Sequence, residues 1–555
     1  MPRITVCLPG RPQQSVDCAA GENLYRTLAA RRLMDAPCGG MGKCGKCRVR
    51  LPDSPPPAQP EDRRFFTADE LHAGWRLACL HTVEGDMTVE LPAREAVSDI
   101  ISSGLTRPAE GLPVVRKERT AQGGTRLLRL ESQALDEPGD TAERLFGIAV
   151  DIGTTTIVAT LVDLCTGQEL LSASCVNSQS VYGQDVMSRI QYAGQPGGAA
   201  ELRDAVLRDL QSLLGHLYSH NTAGVRPDHV YEIAIAANNT MIHLLLGADP
   251  SGMGRTPYRP ALHGAQTCPA SVLGLPASPA CMVYCLPAVS AFVGGDITAG
   301  VLTCGLDRTD RTVLFIDIGT NGEIVLSRAG RMYACSCAAG PALEGMNISC
   351  GMRAAAGAVE DVHLADRDGT LTAMLTVIGN TAPRGLCGSG LLAAIAQLRA
   401  HGIIQPTGRL QTHPLVDVVD GKKRVVLDAS AGIILTQNDI RQVQLAKGAL
   451  LSGIQTMMRF AGIGPSEIDE MLVAGQFGAH LKVESLVGAG IIPAALGPVV
   501  RYVGNTSKSG AMLCLLSRDE RKRVEDIAGR IDYVELSALD GYEKVFVQAM
   551  KFQEE

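Results

Sequence analysis

The chain has 555 residues, enough for several domains and at least one sizeable core. Its 51 basic and 58 acidic side chains leave a net charge of −7, which argues against nucleic acid or an anionic membrane as the main partner. The N-terminus lacks the features of a secretory signal, and the longest apolar stretches, such as 488–500, fall short of a membrane span. The 17 cysteines, scattered and odd in number, read as reduced thiols plus a metal site in a cytoplasmic protein. The 60 glycines fit the many tight turns of an α/β fold.

Residues 1–95 are predicted to form one compact unit. Ile4–Leu8 alternates as a short strand, Ser15–Cys18 suits its hairpin partner, and Asn23–Ala30 has the period of a helix. Cys47–Leu51 and Met87–Leu91 read as strands and the Pro-rich stretch 53–60 as a loop, the plan of a small β-grasp ferredoxin. Residues 96–145 are polar and irregular and read as a linker that lets the first unit swing, with a short strand around Arg126–Leu130 and a small packed unit as the alternative.

From Phe146 to the C-terminus the pattern is α/β. The buried strand Phe146–Val150 ends in Asp151-Ile-Gly-Thr-Thr-Thr156 and continues as the strand Ile157–Val162. The strand Val313–Ile316 ends in Asp317-Ile-Gly-Thr-Asn-Gly-Glu323 and continues as Ile324–Ser327. Strand, Asp-x-Gly-Thr turn, strand thus occurs twice, an internal duplication with halves of about 146–310 and 311–555. Further strands are expected at Glu232–Ala236 and Glu470–Ala474, and helices at Ala199–Leu214, Gly390–Ala400 and Asn438–Phe460.

Two motifs carry chemistry. Cys38, Cys44 and Cys47 share one loop rich in glycine, and Cys79 lies on a distant turn. Four thiolates suit tetrahedral zinc, but zinc ribbons pair their Cys-x-x-Cys knuckles and only one is present here. The spacing is similar to that of 2Fe–2S ferredoxins, with the five-residue first gap of the adrenodoxin-like branch. Each Asp-x-Gly-Thr turn offers backbone N–H groups and hydroxyls to phosphate, with an Asp placed to hold Mg²⁺ through water.

Two such turns facing one another resemble the acetate and sugar kinase, Hsp70 and actin superfamily (ASKHA, RNase H-like), in which ATP lies between related halves. Asp151, Gly153, Thr154, Thr155 and Thr156 match its first phosphate motif, and Asp317, Gly319, Thr320, Asn321 and Gly322 the second. The stretch Met471–Gly478 fits its adenosine turn through Gly475 and Gly478, although Gln476 stands where a second adjacent Gly is usual. Gly388 and Ser389 lie in another Gly-rich turn, near the nucleotide or simply packing a helix. Asn239 is a phosphate-side candidate or an ordinary helix cap. Glu344 either orients the attacking water or caps a turn, and Asp185 with Arg189 either faces the γ-phosphate or forms a surface ion pair. His243 reads as packed on its helix, and Cys335, Cys337, Cys350 and Cys387 are not spaced as a second cluster. Trp75, before Cys79, is expected to shield the cluster.

Taken together, the motifs at 38–47, 151–156, 183–190, 238–243, 317–323 and 340–345 resemble the ATP-dependent reductive activators of corrinoid proteins. The resemblance covers nearly the whole chain except the linker. It implies an N-terminal 2Fe–2S ferredoxin-like domain joined to an actin-like ATPase domain. It also implies ATP-dependent one-electron reduction of Co(II) to Co(I) in the corrinoid protein of a methyltransferase system. The implied cofactors are the 2Fe–2S cluster, ATP and Mg²⁺. The implied partners are the corrinoid protein, an upstream ferredoxin, flavodoxin or reductase, and a second copy in a homodimer. Inverting a 1:99 redox equilibrium takes about 5.5 kcal/mol, or about 240 mV for one electron at about 59 mV per tenfold, a push that nucleotide-driven closure can supply. Other readings are an ATP-driven donor like the 2-hydroxyacyl-CoA dehydratase activators, a redox-sensing ATPase or regulator, and a small-molecule kinase. The last leaves the ferredoxin unit unexplained.

Overall fold

The computed structural model describes the chain apart from residues 9–12, 32, 35–39, 41, 43, 44, 46, 93–111, 130, 131, 138, 368, 369, 476–480 and 553–555. In the N-terminal unit, Ile4 and Val6 alternate along the strand Arg3–Cys7 and are fully buried. That strand lies second in a five-stranded sheet, antiparallel to the edge strand Gln14–Asp17 and parallel to the central strand Met87–Glu90, with Arg48–Arg50 and Trp75–Leu77 beyond. The helix Leu24–Ala30 is capped by the Asn23 side chain and buries Leu24, Tyr25 and Leu28 against the same core. This is a β-grasp ferredoxin-like fold.

The stretch expected as a linker holds a packed unit instead. Val115–Arg119, Thr125–Arg129 and Ser132–Glu137 form a three-stranded antiparallel sheet. It is fastened to the first half of the α/β region. The Arg129 guanidinium donates to Glu232 and to the carbonyls of Tyr231 and Ala280, and Lys117 pairs with Glu137 at 2.7 Å and donates to the Tyr231 hydroxyl at 2.8 Å. Only a few apolar side chains, such as Val115 and Leu127, enter the core. Polar anchoring of this kind leaves little hydrophobic period to read.

The α/β region repeats one sheet plan. In the first half Phe146–Ile152 is antiparallel to Thr156–Asp163, which pairs with Glu169–Val176; on its other side Phe146–Ile152 is parallel to Val230–Ala237, and then comes Met282–Cys285. In the second half Val313–Ile318, Gly322–Arg328, Arg331–Cys337, Glu470–Ala474 and Val500–Gly504 take the same places in the same order. The central strands are buried on both faces, which explains their unbroken apolar runs. Helices Gly198–His220 and Gln437–Phe460 cover one face of the respective halves.

The two halves are not sequential throughout. The helix Thr506–Leu516 follows a strand of the second sheet but packs on Gly295–Cys304 and Phe146–Ile152 of the first. The crossing is close: a Cβ on Gly510 would lie 2.5 Å from that of Ala299. This return brings Asn505 into the cleft between the halves. Among the described residues no helix is long and apolar enough to cross a membrane.

Candidate functional site: a cluster loop and a nucleotide cleft

Cys47 immediately precedes the strand Arg48–Arg50, and Cys79 sits in the turn Ala78–Leu80. Both are buried, and their sulfurs lie 3.2 Å apart, beyond a disulfide bond. The Asn23 side-chain amide fixes the Cys79 carbonyl at 2.9 Å, and Ala78 N–H donates to the Cys47 carbonyl at 2.8 Å. Cys38 and Cys44 lie outside the described residues. On the same loop, Gly40, between those two cysteines, and Gly45, just after Cys44, have φ of +82° and +68° and pack beneath the rings of Tyr25 and Phe65. A Cβ at Gly40 would be 2.6 Å from the Tyr25 ring, so both space and φ require glycine there. Converging thiols under a tight glycine loop fit a 2Fe–2S cluster. Trp75 stacks on Phe66 and lies beside the Arg48 guanidinium, so its described contacts are on the sheet; Tyr25 and Phe65 are the aromatic rings seated on the cluster loop.

The two Asp-x-Gly-Thr turns face each other across a cleft of about 430 Å³. Gly153 N–H donates to the Thr156 carbonyl and Gly319 N–H to the Asn321 carbonyl, each at 2.9 Å, which closes both turns tightly. Three consecutive carbonyls of the first turn point away from the cleft. Gly153 O accepts from the Asn177 side chain at 2.9 Å, Thr154 O from Arg189 at 2.5 Å and Thr155 O from the Asn177 N–H at 2.9 Å. Because C=O and N–H are antiparallel across a trans peptide, the amides of Thr154, Thr155 and Thr156 are turned toward the cleft, where phosphate would lie.

Between the turns stands Glu344, which accepts from the Thr155 hydroxyl at 2.9 Å and from the Thr320 hydroxyl at 2.7 Å. Behind it are four carboxylates, Glu323 buried and Asp151, Asp296 and Asp317 partly buried. Burial pushes Asp151 up to about 7, with Asp296 adding to the shift and the Asn505 side chain, 2.8 Å away, opposing it. Burial raises Asp317 to about 7, with contributions from Asp296 and Asp151. Burial raises Asp296 to about 6, and raises Glu323 well above the ordinary value, helped by Asp296 and Asp317. Carboxylates crowded into one cleft are stabilised by a cation. Asp151, Asp296 and Asp317 line the cleft and offer carboxylate oxygens to Mg²⁺ by way of water; among the described residues no three acidic, His or Cys side chains converge as direct ligands of one metal ion.

The other wall carries Gly388 and Ser389, at the start of the helix Gly388–Ala400, together with Ile378 and Arg353. Gly475, with φ of +97°, follows the strand Glu470–Ala474; a Cβ there would be 2.7 Å from an Asp317 oxygen, so glycine lets this turn press against the second phosphate turn.

Residues 9–84 match the 2Fe-2S iron-sulfur cluster binding domain, 146–309 the RACo middle region and 311–555 the C-terminal ASKHA domain of RACo. The corrinoid activation enzyme RamQ of Eubacterium limosum is 32% identical over 549 residues, covering 90% of this chain and 91% of the relative. This chain belongs to the family of corrinoid-protein activators. The [Co(II) methylated amine-specific corrinoid protein] reductase of Methanosarcina barkeri is 25% identical over 70% of the activator and 73% of its own length. The solved structure of a reductive activator for a corrinoid, iron–sulfur protein is 30% identical and superposes with a TM-score of 0.70 over 100% of the activator and 98% of that chain.

The cleft of the activator collects Asp151, Gly153, Thr154, Thr155, Thr156, Asp317, Gly319, Thr320, Asn321, Glu344, Gly388, Ser389 and Gly475. Three expectations change. Asn239 is buried and turned away to the Ser290 carbonyl, while its neighbour Asn238 caps the helix Asn239–Leu246 and donates to the Thr154 hydroxyl at 3.2 Å. Gly322 starts a strand outside the cleft lining; a Cβ there would collide with Leu450, so its role is packing. Arg189 is neither at the surface nor in the cleft but fully buried behind the first turn. Gly478 lies outside the described residues. Asp296, Asn505 and Arg353 were missed. Asp296 is preceded by Gly294-Gly295, a turn signal, whereas Asn505 becomes visible only through the crossing helix.

Proposed function

We propose that the chain uses ATP, held between its two halves, to drive one-electron reduction of Co(II) to Co(I) in the corrinoid protein of a methyltransferase system. The observation that supports this best is the pair of facing phosphate turns bridged by Glu344 on the same chain as a ferredoxin-like unit. The 2Fe–2S cluster, held by Cys38, Cys44, Cys47 and Cys79, supplies a one-electron carrier at low potential. Upstream, a ferredoxin, flavodoxin or reductase delivers the electron, and the reaction runs in the cytoplasm. Residues 1–95 carry the cluster and 146–555 the ATPase, with 96–145 between them.

In this reading Mg²⁺ is held through Asp151 and Asp317 and neutralises phosphate charge. The amides of Thr154, Thr155 and Thr156 and the hydroxyls of Thr155 and Thr320 donate to phosphate oxygens. ATP entry takes both hydroxyls from Glu344. The freed carboxylate then accepts a proton from the water whose oxygen bonds to the γ-phosphorus as the bond to the ADP oxygen breaks. Gly388, Ser389 and Gly475 border the adenosine end.

Mixing the anaerobically reduced protein with a Co(II) corrinoid methyl-acceptor protein tests this reading. Co(I) absorbance should appear rapidly with Mg–ATP and slowly without it; equal rates across several corrinoid partners overturn the proposal. A cluster shared between ATPase subunits, as in dehydratase activators, has no support among the described cysteines. Cys387 donates to the Val359 carbonyl and Cys350 to that of Gly432, while Cys335 and Cys337 are buried in the core.

A further inference from the structure

One segment touches both working parts of the molecule. Asn177 and Arg189 bond the three carbonyls of the first phosphate turn. Arg189 also donates to the Gly183 carbonyl at 2.9 Å and to the Gln179 side chain at 3.1 Å, and the Asn177 side chain donates to Gln179 at 3.3 Å. Residues 177–189 are thereby tied into one strap. Within it the Arg189 guanidinium donates to neutral acceptors, two carbonyls, Gln179 and the Met241 sulfur, and the acidic group that acts on it is Asp185 at the start of its own helix. A fully buried guanidinium held this way is sensitive to whether phosphate charge stands on the other side of the turn.

The opposite side of the strap meets the cluster unit. The turn Ser178–Val181 lies against the helix Leu24–Ala30, and Val181 packs on the hydrophobic core of the N-terminal unit. That helix is fastened to the cluster ligands. Its cap residue Asn23 holds the Cys79 carbonyl, Leu24 N–H donates to the His81 carbonyl at 3.0 Å, and the Tyr25 ring lies under Gly40 of the cysteine loop. The physical contacts run unbroken from Gly153–Thr155 through the strap and Val181 to the helix that supports Cys79.

We infer that residues 177–189 couple the first phosphate turn to the cluster unit, so that ATP binding sets how firmly the helix Leu24–Ala30 is seated on the ATPase. The inference rests on the nucleotide reading above and adds the contact through which it acts. Asn177 and Arg189 are positioning residues in this arrangement, and Val181 is the contact that delivers the change.

Hydrogen–deuterium exchange on the full cluster-loaded chain tests it, with and without a saturating non-hydrolysable ATP analogue and Mg²⁺. Nucleotide should slow amide exchange across residues 24–30 by about fivefold or more, the lower end of usual coupling between sites. In Val181→Asp, and to a lesser degree in Val181→Ser, that slowing should vanish while the iron chromophore stays as in the parent and the affinity for the analogue falls by no more than about the same factor, because coupling between two sites is reciprocal. Exchange at 24–30 that ignores bound nucleotide, or a slowing that survives in Val181→Asp, overturns the coupling and leaves the ATPase reading intact. Failure of the parent to bind the analogue overturns both.

Discussion

Thr155 and Thr320, one from each phosphate turn, bring their hydroxyl oxygens within 3.4 Å of each other across the cleft. They meet because both donate to the same carboxylate, Glu344. A carboxylate receiving two hydroxyls between two phosphate turns imitates a terminal phosphate. The two halves are thereby latched by one acidic side chain, and nucleotide must compete with it. Glu344 is thus assigned two tasks, holding the cleft together before ATP arrives and accepting a proton afterwards.

Glu344→Gln separates those tasks. Thr155 and Thr320 donate to different oxygens of Glu344, so the amide keeps one hydroxyl on its oxygen and turns its NH2 to the other; it cannot take a proton, and it no longer repels phosphate. ATP turnover should fall by about 10² to 10⁴, the usual contribution of a general base, while ATP binds at least as tightly as to the parent. Steady-state phosphate release and a binding titration measure the two. Undiminished turnover would leave Glu344 as a latch only.

Cys79→Ser should cost the visible iron chromophore and the one-electron EPR signal and leave ATP binding unchanged, because the thiol belongs to the N-terminal core and not to the cleft. Metal analysis decides between the two metals that four thiolates suit. Stoichiometric zinc in the parent protein, with no reducible iron, contradicts the assignment.

How legible this was depended on how local the cause is. The duplicated strand–turn–strand units declare themselves because each is a continuous apolar run ending in Asp-x-Gly-Thr, and the structure places Asp151 and Asp317 at equivalent strand ends. The helix Gln437–Phe460 carries its signals within itself: a capping box of Thr436 with Asp439, and a long apolar stripe. Asn505 reaches Asp151 from a segment far along the chain, and no local pattern foretells that. The sheet at 115–137 is held largely by Arg129 and Lys117 reaching partners in another domain, so its strands look like polar linker. At Asn238 and Asn239 the residue types point to the cleft, but which of the two caps the helix depends on a one-residue difference in its start.

Arg189→Lys tests the anchoring of the first phosphate turn. The guanidinium serves the Thr154 and Gly183 carbonyls and the Gln179 side chain together, and a single ammonium cannot span that fork. Loss of a buried, charge-assisted bond costs about 1.5 to 3 kcal/mol. ATP affinity should therefore weaken by roughly ten- to a hundredfold, with the cluster spectrum unchanged. Calorimetric titration reads the affinity. Parent-like binding would show that the turn keeps its shape unaided.

The carboxylates crowded along the cleft predict how the protein without nucleotide and cation responds to pH. Asp317 has an ordinary value of 3.8 and is held at about 7 by burial and by Asp296 and Asp151. A carboxyl whose value is raised by folding binds its proton more tightly folded than unfolded. Between its ordinary value and about 7 the unfolded chain therefore holds fewer protons, and stability falls as pH rises through that window. Asp151, also held at about 7, and Asp296, at about 6, act in the same direction. In a chelator and without ATP, the melting midpoint of the ATPase unit should drop between pH 5.5 and pH 8. Asp317→Asn removes one of these charges, so its midpoint should exceed the parent's at pH 8 and change less with pH. Saturating Mg–ATP should raise the parent's midpoint at pH 8 more than that of Asp317→Asn, because the parent's ionised carboxylate then faces a cation in place of other carboxylates. Scanning calorimetry of both proteins at the two pH values measures this. Parallel pH curves for the parent and Asp317→Asn would mean that Asp317 is not the group carrying the strain.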